Sequence, residues 1–336
     1  MSAITNKAKT IAIWYEYTVP VSQSKEIDLH LNLWKLPNGR GYERFLDIGL
    51  KIENPVDIKE LCLYFPFNVA ETDFEDIVDK FIGSSSLVSA IFNENYTVTS
   101  NAQTKFYSIE NTAGTKLFDI YQTDKENVSR ENKFEGTVFK LHFPKNGNPI
   151  YLRFRVKGPY MDSLSTTQKV PNAFIQSAFS QTEMIDFRVN EARDLNKALL
   201  EEMGRQSSFV FQKYHFFFVC SYSEDILGAH KQYNSCRNLE NYRWGAYVGN
   251  AKLQDQTFLA YHWKEVNKTD TNVLLTTKFE RNNWDTILMY LFVLLLLTLT
   301  FNIASSYLFD YIKHLSTPPA HASLTLHQAR ICFQDF

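Results

Sequence analysis

The longest apolar run of the chain lies near its C-terminus. Thr286–Phe309 is a stretch of 24 consecutive residues without a charge. As a helix rising about 1.5 Å per residue, it would be about 36 Å long, enough to cross a hydrocarbon core of about 30 Å. Aromatic residues, which favour membrane interfaces, lie near both ends: Trp284, Tyr290, Tyr307 and Tyr311. The pattern predicts one transmembrane helix over residues 284–309, followed by a short tail at residues 310–336.

The first 160 residues show the period-two alternation of half-buried strands. Leu29, Leu31 and Leu33, for example, alternate with polar neighbours. Turn-forming residues separate the apolar runs. The runs predict strands at residues 11–19, 27–34, 45–52, 58–65, 96–99, 104–109, 116–121, 137–143 and 149–157, with an exposed loop at residues 123–133. Many short strands with regular turns predict a β-sandwich-like domain over residues 8–160.

One helix is expected to interrupt these strands. Thr72-Asp-Phe-Glu75 fits a capping box, and apolar residues follow it at helical spacing up to Phe81. Its acidic residues are typical of a first helical turn and do not require a metal ion.

Residues 161–283 have a mixed pattern and predict a smaller α+β region. A Ser/Thr/Gln-rich stretch at residues 161–180 indicates a linker. Helices are expected over residues 191–203, capped by Asn190, and near residues 224–234. Strands are expected at residues 209–220, 242–248 and 258–266. The predicted fold is therefore mainly β and β-sandwich-like, with a smaller α+β region and one C-terminal transmembrane helix.

Charge and cysteine content restrict the class of protein. The formal net charge is −2, so no global basic surface favours binding of a nucleic-acid duplex. The four cysteines are widely separated, unlike a secreted disulfide framework. No signal-peptide core is recognisable, and Lys and Arg are more frequent before the apolar run than after it. The N-terminal part is therefore expected in the cytoplasm.

A basic cluster lies on two neighbouring predicted strands. If residues 137–143 and 149–157 form a hairpin across Lys145-Asn-Gly-Asn148, alternation places five basic side chains on one face. Guanidinium groups suit phosphate geometry, so this face is a candidate for binding a phosphate-bearing ligand. The alternative is a solvated face paired with neighbouring acids. The candidate residues are Lys140, His142, Arg153, Arg155 and Lys157.

Polar residues within the apolar run recur on one side of the predicted helix. Interhelical hydrogen bonds commonly satisfy such side chains in membranes, which indicates self-association of the anchor. The alternative is that Thr and Ser bond back to their own helix. The residues are Thr298, Asn302, Ser305 and Ser306.

Recognisable catalytic motifs are missing from the sequence. No Walker A, dinucleotide-binding, zinc-protease or nucleophile-elbow motif occurs, and no cofactor or metal site is predicted. Ligand or protein binding is therefore expected rather than catalysis. The expected protein is a single-pass, C-terminally anchored membrane protein, with an oligomerising membrane-acting effector as one form. That form is familiar from bacterial antiviral systems and is suggested by architecture only. The alternatives are a membrane-tethered, hydrolase-like enzyme and a structural subunit of a membrane complex.

Overall fold

The computed structural model describes residues 10–18, 24–38, 41–101, 105–145, 147–168, 180–239, 244–250, 256–280 and 284–316. The chain divides into two compact units. One is a β-sandwich with strands from residues 10–280, and the other contains a long C-terminal helix.

The sandwich consists of two sheets. Sheet I contains, in spatial order, β16 (Asp225–Ala229), β19 (Thr271–Glu280), β13 (Ser180–Val189), β1 (Thr10–Tyr17), β4 (Ile58–Phe65), β10 (Gly136–Leu141) and β9 (Val128–Lys133). Two short strands join it, β12 (Ser165–Gln168) beside β13 and β14 (Ser207–Ser208) beside β1. Sheet II contains β17 (Ser235–Leu239), β18 (Phe258–Lys268), β15 (Val210–Ser221), β2 (Glu26–Asn38), β3 (Gly41–Ile52), β11 (Ile150–Lys157), β8 (Lys116–Tyr121), β7 (Phe106–Glu110) and β6 (Thr97–Asn101), with β5 (Phe74–Asp76) beside β11.

Two parallel pairings join the early and late parts of the chain. β1 pairs with β13 in sheet I, and β2 pairs with β15 in sheet II. Residues 8–160 and 161–283, expected as two regions, therefore both contribute strands to each sheet, and these strands belong to one compact unit.

The main core lies between the two sheets. Leu29, Leu31 and Leu33 of β2 are at most 1% exposed, as their period-two pattern predicts. Phe216 and Phe218 of β15 extend the same apolar layer. The predicted β-sandwich-like fold is confirmed.

Short helices cover the outer faces of both sheets. On sheet I lies α3 (Lys197–Arg205), which packs Leu199 and Met203 against Trp14. On sheet II lie α1 (Asp79–Ile82), α2 (Ser85–Phe92) and α4 (Trp244–Val248). They bury a second apolar layer that includes Phe81 and Tyr247.

Several local predictions are wrong. The expected helix over residues 72–81 is a 3-10 turn at Glu71–Asp73 followed by β5, and a helix begins only at Asp79. The ring of Phe74 stacks on that of Phe139 across the sandwich, with centroids 4.1 Å apart, and this contact favours an extended backbone at Phe74 over a helical one. Residues expected as a loop near 123–133 include β9, and those expected as a helix near 224–234 include β16. The expected strand at residues 242–248 contains α4.

Asn190 does not cap a helix. Its side chain accepts a hydrogen bond from Ile13 N at 2.8 Å and donates one to Ile13 O at 3.1 Å. This tertiary pairing extends the contact between β13 and β1, and Asn196 caps α3 instead by accepting from Ala198 N.

The C-terminal helix, α5 (Trp284–Ser316), extends the predicted span by seven residues. The most apolar 18-residue window of Ile287–Ser316 has a mean hydropathy of 2.4 and is unburied, so the helix is long and apolar enough to cross a membrane. The expected tail is helical as far as Ser316, and residues 317–336 lie outside the described residues.

Candidate ligand-binding cavity

The predicted basic hairpin does not form. β10 pairs with β4 and β9 in sheet I, whereas β11 pairs with β3, β5 and β8 in sheet II. Phe139 of β10 and Phe154 of β11 both belong to the core between the sheets. The two apolar faces therefore meet across the sandwich instead of lying side by side in one sheet. The five basic residues do not share a face.

Lys140 and His142 are paired with acids on sheet I. Lys140 Nζ lies 3.3 Å from Glu16, and His142 Nε2 lies 3.1 Å from Glu60. This is the solvated, acid-paired arrangement that the sequence left open as an alternative.

Arg155 lies in a buried network beneath α4. It is 2% exposed and forms two hydrogen bonds with Asp47, Nε to Oδ1 at 2.6 Å and Nη2 to Oδ2 at 3.0 Å. Its Nη1 also donates to the carbonyl of Tyr247 at 3.1 Å. These contacts use the guanidinium group for internal structure.

Arg153 belongs to the same network. It is 1% exposed and donates to the hydroxyl groups of Tyr247 at 3.0 Å and Tyr151 at 2.7 Å. Gly49 leaves the space for this arrangement, because a Cβ there would lie 2.1 Å from the Tyr151 hydroxyl oxygen. Lys157, the fifth predicted residue, is the last residue of β11, and its Nζ lies 3.6 Å from Oε2 of Glu75.

A different set of polar residues surrounds a cavity of about 440 Å³ on the outer face of sheet II, called here the histidine cavity. Its floor carries His30 of β2, His215 of β15 and His262 of β18, which are three adjacent strands. His30 and His215 are direct partners in the parallel register. Its walls contain aromatic and basic side chains: Phe92, Tyr96, Phe118, Phe217, Lys51, Lys213, Arg237 and Lys264.

The histidines contact one another directly. His215 Nδ1 lies 2.9 Å from His262 Nε2, and the two ring planes differ by 5°. The ring of His262 stacks on Phe217 at 4.3 Å, and the ring of His30 lies edge-on to His215 at 5.0 Å. Ser235 Oγ lies 3.4 Å from His262 Nδ1.

Burial keeps these imidazoles neutral at physiological pH. Desolvation, assisted by nearby positive groups, lowers the pKa values of His215 and His262 to about 4. The pKa of His30 also lies well below its ordinary value for the same reason. Each ring therefore offers one N–H donor and one acceptor nitrogen.

The cavity carries an excess of positive charge, because its lining has four basic side chains and two acidic ones, Asp28 and Glu94. Lys51 pairs with Glu53 at 2.5 Å, and Lys213 lies 3.7 Å from Asp28. Arg237 donates to the neutral acceptors Asn93 Oδ1 at 2.8 Å and Ala90 O at 3.1 Å. Within the described part of the chain, neither Arg237 nor Lys264 forms an ion pair with a carboxylate.

A second, larger cavity of about 750 Å³ opens between the sheets. Phe74, Phe139 and Phe154 line it. Burial raises the pKa of Asp76 to about 7, although its carboxylate accepts hydrogen bonds from Val78 N at 2.9 Å and Thr123 N at 2.8 Å. The ionisable lining is mixed in sign, so it indicates no ligand charge: Glu71, Glu75, Asp76, Lys125, Arg130 and Lys157.

One group of potential metal ligands occurs among the described residues, formed by Glu16, Glu60 and Cys62. Lys140 Nζ lies 3.3 Å from Glu16 and 3.9 Å from Glu60, so its ammonium already compensates these carboxylates. Burial raises the pKa of the Cys62 thiol, which disfavours the thiolate that metal binding requires. The group is an ion-pair cluster rather than a metal centre.

Among the polar residues of α5, Thr298 bonds back to its own helix, which is one of the two arrangements expected from the sequence. Thr298 Oγ1 donates to Leu294 O of its own helix at 2.8 Å. Asn302, Ser305 and Ser306 are exposed on α5. Thr298 therefore does not need a partner helix, whereas the role of the other three in self-association stays a prediction.

Comparisons with known proteins identify no family. No protein-family model and no curated protein matches the chain. One matching solved structure is the yeast delta-COP-I mu-homology domain complexed with a Dsl1 WxWxV peptide, at 13% identity, covering 82% of this chain and 78% of that one. Its TM-score is 0.20, too low to support a conclusion about fold or function.

Proposed function

We propose that this protein is a membrane-anchored β-sandwich that binds a small anionic ligand in the histidine cavity. The observation that carries the proposal is the pair of cations, Arg237 and Lys264, that line the cavity without a carboxylate partner in the described residues. The cavity lining holds four basic side chains against two acidic ones, and this excess favours an anion. A guanidinium group also suits carboxylate or phosphate geometry.

The neutral histidines strengthen the preference for an anion over a metal cation. Metal ions often bind to neutral imidazoles, but four basic side chains around this cavity oppose the approach of a cation. An anion meets the opposite field and gains N–H donors from the rings. Aromatic side chains on the walls, such as Phe92 and Phe217, favour a ligand that also has an apolar or aromatic part.

In this proposal α5 holds the binding domain at a lipid bilayer. Its length and hydropathy support insertion into a membrane. The placement of the sandwich in the cytoplasm and the clustering of anchors into a membrane-acting effector are further parts of the proposal. They rest on flanking charge and on architecture, respectively.

The direct test is calorimetric titration of the full-length protein in detergent micelles with inorganic pyrophosphate, a compact multivalent anion. We expect one site per chain, with affinity that falls as salt rises. Substituting both Arg237→Gln and Lys264→Gln should weaken binding by at least about tenfold, because charge-assisted hydrogen bonds contribute about 1.5–3 kcal/mol each.

Lys268→Gln is the matched control. Lys268 is exposed on the same strand as Lys264 but does not line the cavity. It should leave pyrophosphate affinity unchanged. Absence of binding to the wild-type protein, or equal binding to the double variant, would show that the cavity is not an anion site.

A further inference from the structure

Three side chains of the histidine cavity lie in the order used by serine-dependent acyl transfer. Ser235 Oγ is 3.4 Å from His262 Nδ1, and His262 Nε2 is 2.9 Å from His215 Nδ1. A nucleophile beside a base that is itself oriented by a third group recurs on unrelated folds. We infer that Ser235 is a nucleophile, His262 its general base and His215 a positioning residue, and that the cavity hydrolyses a carboxylic ester bearing an anionic group. The substrate class rests on the anion binding proposed above.

The hydrogen bonds require one combination of tautomers. To accept the proton of Ser235, His262 must carry its lone pair on Nδ1 and its hydrogen on Nε2. That hydrogen then points at His215 Nδ1, which accepts it. The two ring planes are within 5° of parallel, and the ring centroids lie 5.1 Å apart. Because burial lowers the pKa of His262 to about 4, its lone pair is unprotonated at neutral pH, but it is a weaker base than an ordinary imidazole.

The surroundings hold the base and leave the nucleophile accessible. His262 stacks on Phe217 with an angle of 5° between the planes, which restricts rotation of the imidazole. Ser235 is exposed on the edge strand β17, where a substrate can reach its hydroxyl. Arg237 lies two residues further along the same strand and therefore on the same face. Its guanidinium group is placed to hold the anionic end of the ester.

The reaction is a balanced two-step exchange. Ser235 Oγ attacks the ester carbonyl as its proton passes to His262 Nδ1, and the carbonyl–alkoxy bond breaks. The leaving alkoxide takes that proton and departs as an alcohol, which leaves an acyl-serine. Water then attacks the acyl carbon and gives a proton to His262. The Ser235–acyl bond breaks, Oγ recovers the proton, and a carboxylic acid is released. No oxidant or metal ion is consumed.

The test uses full-length protein in detergent with the monoester 4-nitrophenyl succinate, whose free carboxylate supplies the anion. We expect a burst of about one equivalent of 4-nitrophenolate and the addition of one succinyl group, located at Ser235 by peptide mass mapping. Ser235→Ala should abolish both, and His262→Phe, which preserves ring stacking, should slow acylation by about 100-fold or more. The acylation rate should stay constant from pH 8 to 6 and fall as His262 becomes protonated towards pH 4.

Matched variants separate chemistry from structure. Ser221→Ala removes a serine bonded to Ser223 outside the cavity and should retain the burst. His215→Leu should slow acylation, and His215→Asn, which keeps an acceptor, should restore part of the rate. A burst that survives in Ser235→Ala, or acylation mapped to another residue, would overturn the inference.

Binding is measured on the same samples, so the two proposals fail separately. If wild type binds pyrophosphate but never forms an acyl-serine, the catalytic inference is wrong and the binding proposal stands. If Ser235 is acylated by neutral 4-nitrophenyl acetate as readily as by the succinate, and pyrophosphate does not bind, the anionic substrate class is wrong.

Discussion

Arg155 and Asp47 form a buried, bidentate ion pair on adjacent strands, with N–O distances of 2.6 and 3.0 Å. The hydroxyl group of Tyr247 donates to the same carboxylate at 2.7 Å, and so ties α4 to sheet II. These three side chains connect β3, β11 and α4, which are far apart along the chain. The sequence pattern predicts only the strands on which two of them lie, and not their contact.

Removing the carboxylate of this pair should destabilise the fold strongly. Asp47→Ala leaves Arg155 buried without a counter-ion, and breaking such a pair costs about 3–5 kcal/mol. Chemical unfolding of the full-length protein in detergent, followed by tryptophan fluorescence, measures the loss. Arg193→Ala, which removes an exposed partner of Glu191, should change the midpoint little. Equal midpoints for the two variants would contradict the structural role of Asp47.

A second prediction concerns space rather than charge. Gly49→Ala would place a Cβ atom 2.1 Å from the Tyr151 hydroxyl oxygen, so the tyrosine must move and its bond to Arg153 weakens. Overpacking of this kind costs about 1–3 kcal/mol. Gly83→Ala is the matched control, since nothing lies within 4 Å of its added Cβ. Thermal unfolding should distinguish the two, and a larger loss for Gly83→Ala would exclude the packing argument.

The histidine cavity should make the fold acid-sensitive. Unfolded histidines take up protons near pH 6.5, whereas His215 and His262 do so only near pH 4 in the folded protein. Between these values the unfolded state binds more protons, so the free energy of unfolding should fall as pH falls from about 6.5 to about 4. Replacing both residues with Asn should reduce this dependence in denaturant titrations, and the part that remains should come from His30, whose pKa is also lowered. Phe217→Leu alters the same cavity without removing a titrating group, and should keep the slope.

Self-association of α5 should depend on Asn302 more than on Thr298. Thr298 already bonds to Leu294 O, so Thr298→Val should leave crosslinking in liposomes unchanged. Asn302→Leu should reduce it, because interhelical hydrogen bonds contribute about 0.5–2 kcal/mol. Undiminished crosslinking of Asn302→Leu would contradict a role for Asn302 in self-association.

The effector form of the proposal predicts a phenotype that requires the anchor. Induced expression of the full chain should slow bacterial growth and lower membrane potential, whereas a chain ending at Asn283 should do neither. Comparable abundance of the two proteins, checked by immunoblotting, is the necessary control. If neither form has an effect, the anchor only positions the binding domain.

The sequence by itself determined the apolar C-terminal helix and most strands of the sandwich. A long run without charges predicts a helix, and alternation with a period of two, as in Leu29, Leu31 and Leu33, predicts a strand. Both patterns depend only on residues close together in the sequence. Local signals also explain the errors, because Thr72-Asp-Phe-Glu75 follows a helix rule that packing of Phe74 overrides.

Only the tertiary structure decided the site. His30, His215 and His262 each alternate with buried neighbours, so the sequence places them on outer faces of strands but not beside one another. The parallel pairing of β2 with β15 brings together residues separated by more than 180 positions. Packing of α4 on β11 and β3, also distant in sequence, withdraws Arg153 and Arg155 from solvent. Strand order depends on how two apolar faces close over one core, and that is a property of the whole chain rather than of any segment.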